Sequence, residues 1–388
     1  MKHALLVMAG VAVTAASLRA ESLDAALGKA LFDRLWVPAP ATTNAADGLG
    51  PLFNARGCVT CHRGGEGARV VTLRDGRRDI NGAVVRFGAA DGATDPTFGQ
   101  QLQTNAVPGL APEGVAEFLP KLSFKLEGGQ LAAGVHTGAR LAPSLFGIAD
   151  FDQVADDEIL KRADPDDSDS DGISGRANRL PGGIGRFGWK AAHISLADQI
   201  AHALATDIGL SSPLAPRPAG DCTVRQTACL SAPNGESAAF EGREVSSEMI
   251  RLMSTYLATV KLPAPKSDAT GAALFVKTGC AACHTPELAT RQGQFIPAFT
   301  DLLLHDMGNA LDDGVGEPGV APSEWRTAPL RKKSNPRSPG RRYLHDGSAA
   351  TIGEAVSKHG AEGAASRKAF DKLSARDRRR LVNYVMGL

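Results

Sequence analysis

Residues 58–62 read Cys-Val-Thr-Cys-His, and residues 280–284 read Cys-Ala-Ala-Cys-His. This spacing is typical of covalent haem attachment, in which two thiols add to the vinyl groups and the adjacent imidazole binds the iron. A thioredoxin-like redox pair needs no such histidine, and a zinc site needs four converging N or S ligands. The motifs therefore predict two haems c, attached through Cys58, Cys61, Cys280 and Cys283 and bound at iron by His62 and His284.

The residues that precede the two motifs are also alike. Leu52-Phe53 and Leu274-Phe275 stand at the same offset from the first cysteine, and a glycine comes immediately before it in both segments. We expect each segment to be a short helix that ends against the porphyrin. The internal repeat predicts two tandem cytochrome c-like domains, over residues 21–215 and 241–388, joined by a Pro-rich linker over residues 216–240.

Helical periodicity dominates the rest of the chain. Apolar residues at helical spacing predict helices over residues 195–208 and 248–260. Capping boxes at Thr351 and Ser374 predict the starts of two more helices, of which the first runs to about His359. No series of hydrophobic strands is visible in the sequence, so we expect an all-α, loop-rich fold.

The N-terminus indicates where the protein is located, and the charge balance indicates which partners it has. A charged start, an apolar run over residues 4–16 and the sequence Leu18-Arg19-Ala20 predict a signal peptide over residues 1–20 and export to the periplasm. That run is shorter than the roughly 20 residues needed to cross a bilayer, and no later stretch is long enough, so we expect no membrane span in the mature chain. The 43 basic and 42 acidic residues leave a net charge of +1, which argues against a nucleic-acid partner.

The remaining cysteines, Cys222 and Cys229, enclose six residues and have no histidine nearby. In an oxidising compartment they are expected to form a structural disulfide in the Pro-rich region. A regulatory redox pair is the alternative interpretation.

An acidic stretch resembles part of a calcium-binding loop. Four residues match its positions 1, 3, 5 and 6, namely Asp167, Asp169, Asp171 and Gly172. The Glu usual at position 12 is replaced by Asn178. We expect Ca²⁺ here, because oxygen ligands at alternate positions suit a hard cation. The alternative is a solvated acidic loop whose counter-charges are Arg176 and Arg179.

Four further segments, together with the two haem motifs, resemble the di-haem oxidoreductases described as peroxidases. These segments are Gly185–Ala191, Thr300–Gly308, Trp325–Thr327 and Tyr343–Gly347. The family is related to the bacterial di-haem cytochrome c peroxidases and to the di-haem enzyme that matures methylamine dehydrogenase. The resemblance implies reduction of a small oxidant such as hydrogen peroxide, with electrons from a periplasmic donor such as a small cytochrome or a cupredoxin.

The resemblance also assigns candidate catalytic residues. The peroxidases place a Trp between the two haems and a Gln ten residues later in the peroxide pocket, which correspond to Trp189 and Gln199. Their pocket Glu corresponds to Asp207, which stands two residues short of the family spacing. A carboxylate there can take a proton from one peroxide oxygen and return it to the other. His202, on the same predicted helix, is the rival for this role.

The second haem's far ligand in those enzymes is a Met or Tyr, fourteen residues after the His of His-Asp-Gly. Here that position is His359, which implies a haem ligated by His284 and His359 with a lower reduction potential than Met ligation gives. Met307 is the competing ligand. His136 could ligate the first iron or hydrogen-bond a propionate. We expect His193 and His305 to have packing or supporting roles.

These assignments predict an exported di-haem oxidoreductase of the peroxidase type. The N-terminal haem would react with the oxidant, and the C-terminal haem would deliver electrons. One alternative is a non-catalytic electron carrier with both irons saturated, and another is an enzyme that oxidises a partner protein's side chain. Thiol oxidoreduction at Cys222 and Cys229 is disfavoured, because the pair lacks the Cys-x-x-Cys setting that lowers a thiol pKa.

Overall fold

The structure is a computed structural model that describes residues 22–43, 46–262, 266–331 and 340–388. The predicted signal peptide over residues 1–20 lies outside the described residues. The fold is 30% helix and 19% strand, so the all-α prediction was wrong and the class is mixed α/β. The error has a physical cause, because no strand in these described ranges exceeds six residues, and such short segments show no long alternation of apolar and polar residues.

The α-helices vary from one turn to about four. They are α1 (residues 22–33), α2 (Cys58–Cys61), α3 (Asp156–Leu160), α4 (Leu196–Ala203), α5 (Thr227–Leu230), α6 (Ser247–Thr259), α7 (Ala269–Lys277), α8 (Ile352–Ser357), α9 (Ala364–Asp371) and α10 (Ala375–Gly387). A π-helical turn over Leu204–Ile208 continues α4 directly. Short 3₁₀ segments lie at Arg63–Gly65, Ile148–Gln153, Ala238–Phe240, Cys280–Ala282 and Ala361–Gly363.

The strands pair two by two. They are β1 (Val37–Pro38), β2 (Asp47–Leu49), β3 (Leu52–Phe53), β4 (Arg69–Thr72), β5 (Arg78–Asn81), β6 (Ala83–Gly88), β7 (Asn105–Ala106), β8 (Gly114–Glu117), β9 (Ser123–Leu126), β10 (His136–Leu141), β11 (Arg179–Leu180), β12 (Gly183–Ile184), β13 (Glu287–Ala289), β14 (Phe295–Pro297), β15 (Leu304–Asp306) and β16 (Glu324–Arg326). The pairs are β1/β2, which is parallel, and the antiparallel β3/β7, β4/β5, β6/β10, β8/β9, β11/β12, β13/β14 and β15/β16. Some of these pairs are short hairpins, such as β4/β5 and β8/β9, whereas β3/β7 and β6/β10 join segments about 50 residues apart.

The helices predicted from periodicity and capping are confirmed. The Oγ1 of Thr351 accepts the N–H of Glu354 at 3.1 Å, which satisfies one of the donors at the start of α8. The Oγ of Ser374 accepts the N–H of Asp377 at the same distance and caps α10. Helix α8 ends at Ser357, two residues before the predicted end.

The two haem motifs are approached by different secondary structure. Helix α7 ends just before the second motif, where Gly279 takes the left-handed conformation with φ 79°, as expected. The first motif follows β3 instead, so the helix predicted there was wrong. The cause is tertiary, because the N–H groups of Asn54 and Ala55 donate to the carbonyl of Asp207 rather than to a helical partner.

Two core clusters position the motifs. The first packs Leu31 of α1 and Leu204 of the π-helical turn against Ile250 of α6. Cys58, the first cysteine of the first motif, packs against this cluster. The second packs Phe275 of α7 against Leu381 and neighbouring residues of α10, so the last helix docks beside the second motif as predicted. The division into two domains stays a prediction.

Two further expectations concern the covalent and membrane context. Cys222 and Cys229 form a disulfide, which confirms the predicted pairing. Both cysteines are buried against Leu52 of β3. Within the described part of the chain, no helix combines the length and apolarity needed to cross a bilayer.

Candidate di-haem site

Both Cys-x-x-Cys-His motifs line one continuous cavity of about 790 Å³. The motifs share the same local turn, because the main-chain N–H of His62 donates to the carbonyl of Cys58 at 2.9 Å, and that of His284 to Cys280 at 3.0 Å. None of their four cysteines forms a disulfide with another described residue. The structure therefore brings the two predicted attachment sites into a single space.

The cavity wall fits a group that carries carboxylates. Its arginines outnumber its acidic residues, and they are Arg69, Arg86, Arg140, Arg326, Arg331, Arg341, Arg342 and Arg367. The Nη1 of Arg69 and the Nε of Arg342 are buried and make no hydrogen bond within the described chain. Buried N–H donors without acceptors are costly, and haem propionates are anions of the kind that would accept from them. The residues present therefore fit two haems.

The first motif lies in the more deeply buried surroundings. Burial lowers the pKa of His62 to about 4, so its imidazole is neutral near pH 7, which is the form that binds a metal. Its buried Nδ1 also makes no hydrogen bond of ordinary geometry within the described chain. Burial raises the pKa of Cys58 and of Cys61 to about 12. The surroundings of both sulfurs therefore disfavour a charge.

The second motif has an oriented histidine. The Nδ1 of His284 donates to the carbonyl of Phe299 at 3.1 Å. This bond selects the tautomer in which Nε2 carries the lone pair, the arrangement that metal-binding histidines commonly use. His284 is thus prepared to bind iron through Nε2.

Both candidate far ligands of the second haem lie together on the cavity wall. A Cβ added to Gly363 would lie 2.9 Å from the Cβ of His359 and 3.2 Å from the Cε of Met307. The Nδ1 of His359 donates to the carbonyl of Ala355 at 2.8 Å, so Nε2 is again the basic nitrogen. Burial lowers the pKa of His359 and keeps the imidazole neutral. His359 and Met307 therefore both remain candidates for the far ligand of the second haem.

The predicted peroxide-pocket residues lie in the same cavity as the first motif. Gln199 and His202 lie on α4, and Asp207 lies on the π-helical turn that follows it. The carbonyl of Asp207 accepts the N–H groups of Asn54 and Ala55 at 2.9 Å each, and Cys58 comes three residues after Ala55. Burial raises the pKa of the Asp207 carboxyl. The structure thus brings a protonatable carboxyl close to the first motif.

Gln101 is a pocket residue that the sequence analysis missed. Its Nε2 donates to the Oδ1 of Asp207 at 2.7 Å, and its side chain lines the cavity. The two residues are 106 positions apart, and no local motif marks the contact.

His193 and His202 form a pair of imidazoles beside this pocket. Their ring centroids are 4.5 Å apart, and the Nδ1 of His193 lies 3.3 Å from a carboxylate oxygen of Asp198. Burial and the neighbouring His193 hold the pKa of His202 well below its usual value. His202 is therefore a neutral base in the cavity and remains the rival of Asp207.

Trp189 begins a row of aromatic rings that the sequence analysis did not foresee. Its Nε1 donates to the carbonyl of Leu141 at 2.8 Å, and its ring centroid lies 6.3 Å from that of His345 in an edge-to-face arrangement. His345 stacks on Trp325 with 3.6 Å between centroids. The ammonium of Lys190 lies 3.8 Å from the Trp325 centroid. All three rings line the cavity.

His305 has a structural role that agrees with its expected supporting function. Its Nε2 lies 2.9 Å from the Oδ2 of Asp301, and its Nδ1 lies 2.6 Å from the Oε2 of Glu362. Burial by itself lowers the pKa of His305, but hydrogen bonds with Asp301, Cys283 and Glu362 raise it to about 12. His305 is therefore a buried imidazolium that joins the second motif to the segment after His359.

The acidic loop keeps its carboxylates close together. Ligand oxygens of Asp167, Asp169 and Asp171 lie within 4.8 Å of one another. The residue at position 12, Asn178, is buried, and its amide donates to the carbonyls of Lys190 and Ala191, so it does not face the loop.

Arg176 and His136 are not in the arrangements that the sequence analysis considered for them. Arg176 forms an ion pair with Glu324 and so does not serve as the counter-charge for the acidic loop. His136 is exposed at the start of β10 and does not contribute to the cavity wall. The structure therefore does not bring His136 together with the other candidate ligands.

Comparisons with known proteins agree with the predicted resemblance. A family model described as "Di-haem oxidoreductase, putative peroxidase" matches residues 121–388, which include the second motif and lie beyond the first. No curated protein matches the chain. A solved structure titled "Kuenenia stuttgartiensis Hydrazine Synthase Pressurized with 20 bar Xenon" is 18% identical, with a TM-score of 0.25. The match covers 38% of this chain and 58% of that one, and a likeness this weak carries no argument.

The His305 contacts predict a pH-dependent contribution to stability. His305→Gln should lower the free energy of unfolding by about 3 kcal/mol near pH 6, because it leaves buried carboxylates without their cation. The folded-state pKa of His305 is raised, so its stabilisation is complete below 6.5 and is lost as the pH rises towards about 12. Urea unfolding at about pH 6 and about pH 9 should show the difference from wild type narrowing. An equal difference at both pH values would contradict the imidazolium assignment.

Proposed function

The chain belongs to the di-haem oxidoreductase family, and from this premise we propose that it is an exported, peroxidase-like enzyme with two covalent haems c. The observation that supports the proposal most directly is the buried Asp207 carboxyl in the cavity that the first motif lines. An electron carrier requires no protonatable group beside its haem, whereas reduction of a peroxide consumes two protons and two electrons for each pair of water molecules formed.

The residues near the first motif would manage the protons of that reaction. The haem, when bound, supplies the iron and the electrons for cleavage of the O–O bond. Asp207 would take a proton from the oxygen nearer the iron and return it to the leaving oxygen as water forms. Its raised pKa suits this exchange, because a buried carboxylate is a stronger base than an exposed one. Gln199 would orient the peroxide through its amide.

The C-terminal haem would supply electrons rather than react. Side chains that can ligate iron are available on the same cavity wall, with His284 from the motif and His359 or Met307 from other parts of the chain. A haem ligated on both faces cannot bind peroxide without losing a ligand. Trp189 lines the cavity that both motifs share and would pass electrons between the haems. The external donor would be a small periplasmic cytochrome or a cupredoxin.

Calcium at the acidic loop is a further part of the proposal. Asp167, Asp169 and Asp171 would provide its carboxylate ligands. Ser174, just beyond the loop, donates its N–H and hydroxyl to Glu362, each at 3.1 Å. Because Glu362 also contacts His305, whose Nδ1 lies 3.8 Å from the Sγ of Cys283, an ion in the loop would stabilise contacts that reach the second motif.

The proposed reaction predicts distinct spectra and a selective mutational effect. The oxidised protein should show one high-spin and one low-spin haem by electron paramagnetic resonance, and hydrogen peroxide should consume the high-spin signal after partial reduction. Asp207→Asn should leave both signals but slow peroxide reduction by about 100-fold, since it removes a proton-transfer group.

The control for this variant is Asp152→Asn. Asp152 is also a carboxyl whose pKa burial raises, but it lies outside the cavity wall, and its variant should react like wild type. Two low-spin haems that ignore peroxide would refute the enzyme and identify an electron carrier.

The ligand of the second haem is tested by paired variants. His359→Ala should change the low-spin signal of the C-terminal haem only, because the imidazole would be lost from its iron. Met307→Leu should leave that signal intact, since leucine preserves the packing beside Gly363 without a ligating atom. The reverse pattern, with an effect of Met307→Leu alone, would assign the thioether as the ligand.

The calcium assignment predicts a metal content. Elemental analysis of the purified protein should find calcium, and Asp167→Asn combined with Asp171→Asn should remove it, because two of the three clustered carboxylates would lose their charge. Protein without calcium, measured before any chelator is added, would leave a solvated acidic loop as the correct interpretation.

A further inference from the structure

Gln101 makes a hydrogen bond that singles it out among the polar residues near Asp207. Its side chain is 1% exposed, and its Nε2 donates to the Oδ1 of Asp207 at 2.7 Å. The same Nε2 lies 3.2 Å from the carbonyl oxygen of Thr206, the residue before Asp207. One amide group therefore contacts both the carboxylate and the main chain of the turn that presents it.

The main chain of Gln101 is fixed as firmly as its side chain. The N–H groups of Gln100 and Gln101 donate to the Oδ2 of Asp221 at 2.9 and 3.0 Å. Asp221 directly precedes Cys222, which the disulfide ties to Cys229. A continuous set of contacts thus runs from the disulfide through Asp221 and Gln101 to the carboxylate of Asp207.

We infer that Gln101 is a positioning residue, which orients the carboxylate of Asp207 and stabilises its ionised form for proton transfer. The inference rests on the proposed function, in which Asp207 exchanges protons with peroxide. The bond to Gln101 uses Oδ1, which leaves Oδ2 for that exchange. An N–H donor favours the charged form of a carboxyl, so Gln101 opposes the effect of burial and keeps the group available as a base.

Gln103 provides a matched comparison within the same segment. Its side chain is 2% exposed, and its Nε2 donates to the same Thr206 carbonyl, at 3.0 Å. Its main-chain N–H is likewise held by a buried carboxylate, that of Glu113, at 2.7 Å. The amide of Gln103 makes no hydrogen bond to Asp207 within the described chain. Both glutamines contact the Thr206 carbonyl, but only Gln101 donates to Asp207, whereas the Oε1 of Gln103 accepts the amide of Asn54 at 3.1 Å.

The test compares Gln101→Met with Gln103→Met in the full protein carrying its haems. Infrared difference spectra recorded through a pH titration follow the carboxyl band of Asp207, which is assigned by its loss in Asp207→Asn. Loss of one hydrogen bond to a charged group should raise the titration midpoint by about one pH unit in Gln101→Met. Gln103→Met should leave the midpoint unchanged.

The same shift in the titration of Asp207 should appear in the pH dependence of peroxide reduction. Peroxide reduction that needs ionised Asp207 is lost at acid pH, so the acid limb of the rate profile should move to higher pH by about one unit in Gln101→Met. If Gln101→Met does not fold, Gln101→Asn serves instead, because its shorter side chain keeps the amide but cannot reach Asp207.

The outcomes separate the inference from the function on which it rests. An unchanged Asp207 midpoint in the Gln101 variant, or an equal shift in Gln103→Met, would overturn the positioning role. A midpoint that shifts in the Gln101 variant alone supports it, even if Asp207→Asn retains full peroxide reduction. Full peroxide reduction by Asp207→Asn would instead refute the proposed catalytic role of Asp207.

Discussion

A large, partly anionic group in the cavity of about 790 Å³ would supply the acceptors that the buried Nη1 of Arg69 and Nε of Arg342 lack within the described chain. Protein interiors are otherwise close-packed, and a buried guanidinium needs an acceptor. The rest of the fold follows from this constraint. Short hairpins and single helical turns can wrap around a bulky group, whereas long strands would need a continuous sheet partner. Helices α7 and α10 pack against each other to support the second motif, and α1, α4 and α6 support the first.

The sequence predicted the features that depend on neighbouring residues. The haem motifs, the Thr351 and Ser374 caps and the Cys222–Cys229 disulfide each involve atoms within a few positions of one another, so their spacing carries the information. The helix before the first motif failed for the opposite reason. Contacts with Asp207, about 150 residues away, replace the helical hydrogen bonds of Asn54 and Ala55.

The candidate site shows the same division. Gln199 and Asp207 were proposed from the resemblance to the peroxidases, because they lie on one continuous segment with Trp189, and their catalytic roles stay a prediction. Gln101 could not be found in this way, since its bond to Asp207 joins parts of the chain that only the tertiary fold brings together. The role of His305 was hidden in part, because Asp301 is four positions away but its second carboxylate partner, Glu362, is 57 positions away. Buried polar networks of this kind are specified by the whole fold.

The main-chain bonds of Asp207 explain how a proton-transfer group could stay in register with a haem. The carbonyl of Asp207 holds Asn54 and Ala55, and the first motif begins three residues later, so the carboxylate and the attachment site share one rigid connection. A close approach of Gly50 to Gly209 strengthens it, because a Cβ on Gly50 would lie 2.4 Å from the Cα of Gly209. Proton transfer depends steeply on distance, and a displacement of about 1 Å can reduce a rate about 100-fold. This connection would therefore fix the carboxylate more reliably than a flexible loop could.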